Sequence, residues 1–216
     1  GVGEIAISDH RSSNPTINEL SRIASHSRVA GLLSDKAGLV NVHLGDSDIY
    51  KSNPINALKP IYDVCNNSMI PITQFVPTHC NRNEVILENS KEYAKAGGNV
   101  DFTTSSSDYD TLSITKPSKA VKNYIDNNIP TERITFSSDG NGSLPEFDDK
   151  GNFTGLKKGE LKSLYNEIRD LIIYEDVSID KAITFVTSNP AKIFKLQSKG
   201  FLKEGFDADI LILDKD

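Results

Sequence analysis

Apolar runs of strand length alternate with longer amphipathic stretches along most of the 216-residue chain. Strand-like runs fall at residues 3–8, 40–45, 72–79, 100–106 and 134–139. Helical patterns fall at 16–33, 54–67, 83–96, 117–128, 157–174 and 179–187. Thr16, with Glu19 three residues on, predicts a capping box at the start of the first helix. Gly38 and the Gly97-Gly98 pair are natural helix stops. Strand followed by helix, repeated, predicts an α/β fold with a parallel sheet and helices outside it.

An open doubly wound sheet and a closed barrel both satisfy that alternation, and the polar positions separate them. Side chains along a strand alternate between faces. Glu4, Ala6 and Ser8 then oppose Ile5 and Ile7, and Asn41, His43 and Gly45 oppose Val40, Val42 and Leu44. Phe75, Pro77 and His79 share one face, while Thr135, Ser137 and Asp139 oppose Ile134 and Phe136. An apolar face for the helices and a polar face with side chains at the C-terminal strand ends is the pattern of a (β/α) barrel. A doubly wound sheet, covered on both faces, runs apolar throughout.

His43 and His79 lie 36 residues apart, near the roughly 31 per unit of an eight-unit barrel. Only five such strands are legible, and the final stretch "KGFLKEGFDADILILD" reads as a turn plus an alternating strand of another kind. The expectation is therefore a partial TIM-type (β/α)8 barrel. Residues 1–198 would hold strands four to eight with their helices, and 199–216 the start of a small β segment. The start at Gly1 reads as a cut end, with the earlier strands upstream.

Composition narrows the partners. The chain is 37% hydrophobic and 25% charged with a net charge of −6, which argues against nucleic acid and anionic membranes. No apolar run approaches the ~20 residues of a membrane span, and no signal segment is visible. Cys65 and Cys80 lack metal-type spacing, so they read as reduced thiols in a cytoplasmic protein.

Glu4, His43, His79 and Asp139 are expected to meet at one end of the strands. Histidine and carboxylate donors from separate strands suit zinc or a similar divalent ion. Each also has a plainer reading: a structural histidine, a turn aspartate in "DGNG", or a Glu4 paired with Arg11 or Arg82. His26 reads as a surface residue and His10 as a loop residue behind the site. Cys80 should point away from the face that His79 occupies. The acidic loops "DYDTLS" and "FDDKGN" read as solvated, and the long stretch 137–155 could cover the site.

The segments "AISDHRSS", "VHLGDS", "PTHCNRN", "SSDGNGS" and "GFDADILILD" resemble, in order, the isoaspartyl (β-aspartyl) dipeptidase family of the metal-dependent amidohydrolase superfamily. The resemblance implies His43 and His79 as metal ligands after the fifth and sixth strands. It implies Asp139 after the eighth as ligand and general base, and Arg11, Arg82 and Ser143 as substrate-binding residues. The family's His-x-His pair does not occur in this stretch.

Where better-known members carry a carbamylated lysine between two metals, this chain has Glu4. One carboxylate can bridge ions ~3.5–4 Å apart. Two zinc ions bridged by Glu4 are expected, with one ion as the alternative. The implied enzyme is a metallo-dipeptidase that cleaves β-aspartyl dipeptides with metal-activated hydroxide and Asp139 as base, and that forms a homo-oligomer when full length. The alternatives are another amidohydrolase, such as a D-aminoacylase or dihydroorotase, and an inactive fragment that assembles with partners.

Overall fold

The computed structural model describes residues 1–9, 14–45, 57–104, 114–148, 150 and 152–213. Five strands run parallel: β1 (Val2–Ala6), β2 (Val40–His43), β3 (Phe75–Thr78), β4 (Val100–Thr103) and β5 (Ile134–Ser137). Strands β1, β2 and β3 form one ladder, and β4 pairs with β5.

Asparagine side chains and one backbone bond span the gap between β3 and β4. Asn99 Nδ2 donates to the carbonyls of Thr73 and Phe75, at 3.0 and 2.9 Å. At the other end, Asn81 donates to the Thr103 carbonyl at 3.0 Å and accepts from the Thr103 N–H at 2.9 Å. The Cys80 N–H donates to the Asp101 carbonyl at 3.1 Å. Side-chain amides thus satisfy backbone groups that a regular ladder would otherwise pair.

The helices cover the apolar face. In chain order they are α1 (Ile17–Ser34), α2 (Lys59–Asn66), α3 (Glu84–Lys95) and α4 (Pro117–Asp126), followed by α5 (Ser163–Ile173), α6 (Ile179–Ala182) and α7 (Ser188–Ile193). Short 3₁₀ turns lie at Ile72–Gln74 and Ile183–Val186. Val40, Val42, Phe75, Val100, Phe102 and Ile134 from the strands pack with Leu20, Ile61, Ile86, Val121 and Leu171 from the helices in one core. The sequence expects such a layer for Val40, Val42 and Ile134, the apolar half of their alternation; Phe75, read on the same face as His79, turns to the helices instead.

The capping box forms as expected. Thr16 accepts from the Glu19 N–H at 3.3 Å, and Glu19 accepts from the Thr16 N–H at 2.8 Å. Other features differ from expectation. The left-handed cap after α1 is Asp35 (φ 52°), not Gly38. The helix expected over 157–174 begins only at Ser163. Ahead of it lies an antiparallel hairpin, β6 (Ser143–Phe147) with β7 (Phe153–Lys158). Residues 208–213 belong to no helix or strand, in contrast to the alternating strand read there, and Ile210–Leu213 are exposed. A strand needs a neighbouring edge for its N–H and C=O groups, and no described residue supplies one to this segment.

Candidate metal centre

Two backbone irregularities and one regular strand position place the site. Val2 pairs with Val40 but Ile5 pairs with Val42, so β1 carries one extra residue across Gly3–Glu4. Such a bulge bends the strand and re-aims a side chain, here Glu4. His43 ends β2 on the polar side with Asn41, as alternation predicts.

His79 follows β3 and arrives differently. Strict alternation would send it with Phe75 and Pro77, and Phe75 is fully buried in the helix-facing core. His79 adopts φ 63° instead, a left-handed conformation uncommon for a non-glycine residue. The chain turns there, His79 joins the polar cavity, and Cys80 buries in the core. Burial pushes the Cys80 thiol far above its ordinary pKa, so it is no ligand candidate.

Glu4, His43 and His79 offer ligand atoms that all lie within 4.8 Å of one another. Glu4 Oε1 is 3.0 Å from His43 Nδ1 and 3.3 Å from His79 Nε2. The two imidazole rings meet edge to face with centroids 4.5 Å apart. Contacts to both imidazoles, His43 first, hold the Glu4 carboxyl well below the usual carboxylate range. Burial lowers the pKa of His79, which favours the neutral ring that a metal ligand requires. The charge of nearby Arg82 acts in the same direction.

This donor set fits a divalent ion. Tetrahedral ligands at ~2.0–2.2 Å from zinc stand roughly 3.4 Å from each other, near the 3.0 and 3.3 Å separations found. The other ring nitrogen of His43, Nε2, is buried without a hydrogen-bond partner among the described residues. It lies 3.3 Å from Asp9 Oδ2, outside hydrogen-bonding geometry. Asp9 approaches so closely because residue 45 is glycine: a Cβ there would sit 2.6 Å from the Asp9 Cα.

Asp139 shares the cavity but stands outside the trio. The cavity, about 340 Å³, is lined by Glu4, Asn41, Thr78, His79, Asp101, Thr135, Ser137 and Asp139, with apolar walls from Val76 and Phe194. Asp139 is left-handed (φ 49°), and the Gly142 N–H donates to its carbonyl at 2.9 Å. A Cβ at Gly142 would lie 2.8 Å from the Asp139 carbonyl and from its carboxylate Oδ1. The "DGNG" turn thus folds tightly around the carboxylate.

The expected substrate-binding residues are scattered. Arg82 sits one turn beyond His79, its N–H donating to the His79 carbonyl at 2.9 Å. Ser143 opens β6, pairs with Lys158 and is exposed, and it does not line the cavity. Arg11 lies outside the described residues, as does His10. The stretch expected to cover the site contains part of the β6–β7 hairpin.

Sequence reasoning missed Asp101. This carboxylate is 5% exposed at the centre of β4, on the cavity side. It accepts hydrogen bonds from the hydroxyls of Thr78 (2.7 Å), Thr135 (2.6 Å) and Ser137. Burial raises its pKa from 3.8 to about 6 against the opposing pull of those three donors. The signal was present: an acid inside "VDFT" is as conspicuous as Glu4 inside "GVGEIA".

Residues 25–216 match the amidohydrolase family. The structure resembles the crystal structure of a β-aspartyl dipeptidase from the thermophilic, keratin-degrading Fervidobacterium islandicum AW-1 in complex with β-Asp-Leu dipeptide. The TM-score is 0.81 at 38% identity, covering 96% of this chain and 50% of that one. A second β-aspartyl dipeptidase structure from that organism gives a TM-score of 0.78 at 32% identity, covering 96% and 49%. An uncharacterised metal-dependent hydrolase from Pyrococcus furiosus shares the fold, with a TM-score of 0.53 at 18% identity over 94% of this chain and 37% of its own. A dihydroorotase from Endomicrobium trichonymphae is 48% identical over 54 residues, which is 25% of this chain and 12% of that protein. The chain spans about half the length of the two dipeptidase chains. No helix among the described residues is long and apolar enough to cross a membrane.

Proposed function

Because this chain belongs to the amidohydrolase family, we propose that the protein containing it is a metal-dependent dipeptidase that hydrolyses β-aspartyl dipeptides. The observation that carries this reading is the convergence of Glu4, His43 and His79 within 4.8 Å, beside Asp139 in one cavity. The likeness to a β-aspartyl dipeptidase at 38% identity supports the substrate class. Residues 1–198 then read as the later strands of a (β/α)8 barrel, and 199–216 as the start of a further β segment.

Glu4, His43 and His79 would hold the cation, zinc in this reading, as one ion or as two that share Glu4. Bound there, the cation would lower the pKa of water toward ~7 and would polarise a carbonyl. Asp139, a further ligand in this reading, accepts the proton of the attacking water as its oxygen bonds to the scissile carbon. Asp139 then delivers that proton to the amine as the C–N bond breaks. A β-aspartyl dipeptide carries two free carboxylates, and the guanidinium groups of Arg11 and Arg82 suit them, with Ser143 as an added donor. The protein reads as a cytoplasmic homo-oligomer, and the net charge of −6 on this chain gives no reason to invoke nucleic acid or membrane.

The dihydroorotase match favours a second reading, hydrolysis of a cyclic amide at the same centre. Turnover assays on the intact protein with β-Asp-Leu and with dihydroorotate separate the two. The dipeptidase reading predicts cleavage of β-Asp-Leu alone, and cleavage of dihydroorotate alone would replace it. Asp139→Asn is expected to lower kcat by ~10²-fold or more, and full activity in that variant would remove Asp139 as the base. Glu4→Gln is expected to lower the number of bound metal ions, and an unchanged count and affinity would contradict its place as a ligand.

A further inference from the structure

We infer that Asp101, Thr78 and Thr103 form a proton-ordered relay that holds His79 as its Nδ1–H tautomer and thereby points the Nε2 lone pair at the metal position. The inference rests on the reading of Glu4, His43 and His79 as a metal centre, and it concerns residues assigned no part in it so far.

The direction of the relay follows from the metal-centre reading together with the hydroxyl protons at hand. The Thr78 hydroxyl carries one, and Asp101 Oδ2 accepts it at 2.7 Å. Thr78 Oγ1 also lies 3.4 Å from Thr103 Oγ1, the loosest link. With its own proton committed, Thr78 offers Thr103 an acceptor there. Thr103 Oγ1 in turn lies 2.6 Å from His79 Nδ1. A ring that binds a metal through Nε2 keeps its proton at Nδ1, and Thr103, with Thr78 as acceptor for its own proton, accepts that one. A neutral ring protonated at Nδ1 carries its lone pair at Nε2.

Geometry gives this a consequence. His79 Nε2 faces Glu4 Oε1 at 3.3 Å. A lone pair opposite a carboxylate oxygen is repulsive unless a cation lies between or beside them. The relay therefore prepares a pair of donor atoms that a cation satisfies.

Asp101 suits the far end of the relay. Thr135 and Ser137 also donate to it, so all three neighbouring hydroxyls are turned toward one carboxylate. Just past β3, the Asn81 side chain bonds both the N–H and the carbonyl of Thr103 and fixes its backbone. Metal-bound histidines commonly donate their second N–H to an outer acceptor, and loss of such a partner weakens metal affinity by ~10–100-fold. Thr103 and Thr78 act through His79, and Asp101 through Thr78, so all three are positioning residues.

The test uses the intact protein, stripped of metal. Nitrogen-15 NMR of the imidazoles, with His79 assigned by its loss in His79→Gln, should show a protonated Nδ1 and a bare Nε2. The opposite tautomer in the wild type would overturn the relay, whatever the variants do. Zinc affinity by chelator competition should fall ~10–100-fold in Thr103→Val and stay within about threefold of wild type in Thr103→Ser, which keeps the hydroxyl. Thr78→Val does not touch the ring, yet it should weaken zinc binding and give a mixed tautomer signal. Wild-type affinity and tautomer in folded Thr103→Val would also overturn the inference. A wild-type protein with the expected tautomer but no zinc affinity would instead overturn the metal-centre reading.

Discussion

Glu4 and Asp101 are both acids set into short parallel strands, and their surroundings treat them oppositely. Glu4 is half-exposed and touched above all by the His43 imidazole, which keeps it ionised. Asp101 is buried beneath the site among hydroxyls, which offset only part of its desolvation. A rise from 3.8 to about 6 means that the folded protein binds more protons at Asp101 than the unfolded chain does between about pH 4 and 6. The contribution of this group to stability therefore falls as pH rises through that interval, by about 3 kcal/mol. Asp101→Asn removes the dependence. The difference in unfolding free energy between the two proteins should change by that amount from pH 4 to 6, as read by urea titration at each pH. A difference that stays constant would show that Asp101 titrates normally. Sequence made Glu4 legible because an acid interrupts an apolar run. Asp101 shows the same interruption, but its role depends on three hydroxyls from two other strands, and a single strand does not reveal them.

At the scale of elements, the alternation that suggested the site explains only part of it. His43 arrives by simple period-two placement on β2. His79 arrives by a left-handed turn after β3, and Glu4 sits at a bulge. Backbone irregularities of this kind leave weak marks in a sequence, because no glycine occupies position 79 and Gly3 alone does not announce a bulge. Asp9 was legible only as a charge; its approach to His43 depends on the bare Cα of Gly45. Gly45→Ala should therefore push Asp9 away and separate the ends of β1 and β2, with a loss of about 1–3 kcal/mol in unfolding free energy. A variant as stable as wild type would mean that the Asp9 segment yields without cost. The β6–β7 hairpin was missed for a related reason. The helical pattern through Lys157 and Lys158 extends α5 backward, while the ladder between Ser143 and Lys158 claims those residues for a strand. Tertiary pairing overrode local propensity there.

Across the whole molecule, the architecture follows from one division of labour. Apolar strand residues meet the helices, polar ones meet the cavity, and asparagines join β3 to β4 where their backbones do not pair regularly. That division was readable from sequence because it repeats in strand after strand. The tail was not, since the apolar alternation of residues 208–213 finds no partner edge among the described residues. Metal-dependent hydrolysis at the Glu4, His43 and His79 centre is the central claim. Its most direct test is β-Asp-Leu turnover by the intact protein after chelation and again after zinc is restored. Activity should vanish with the metal and return in proportion to the zinc bound, whereas unchanged turnover by protein shown to hold no metal would contradict the account.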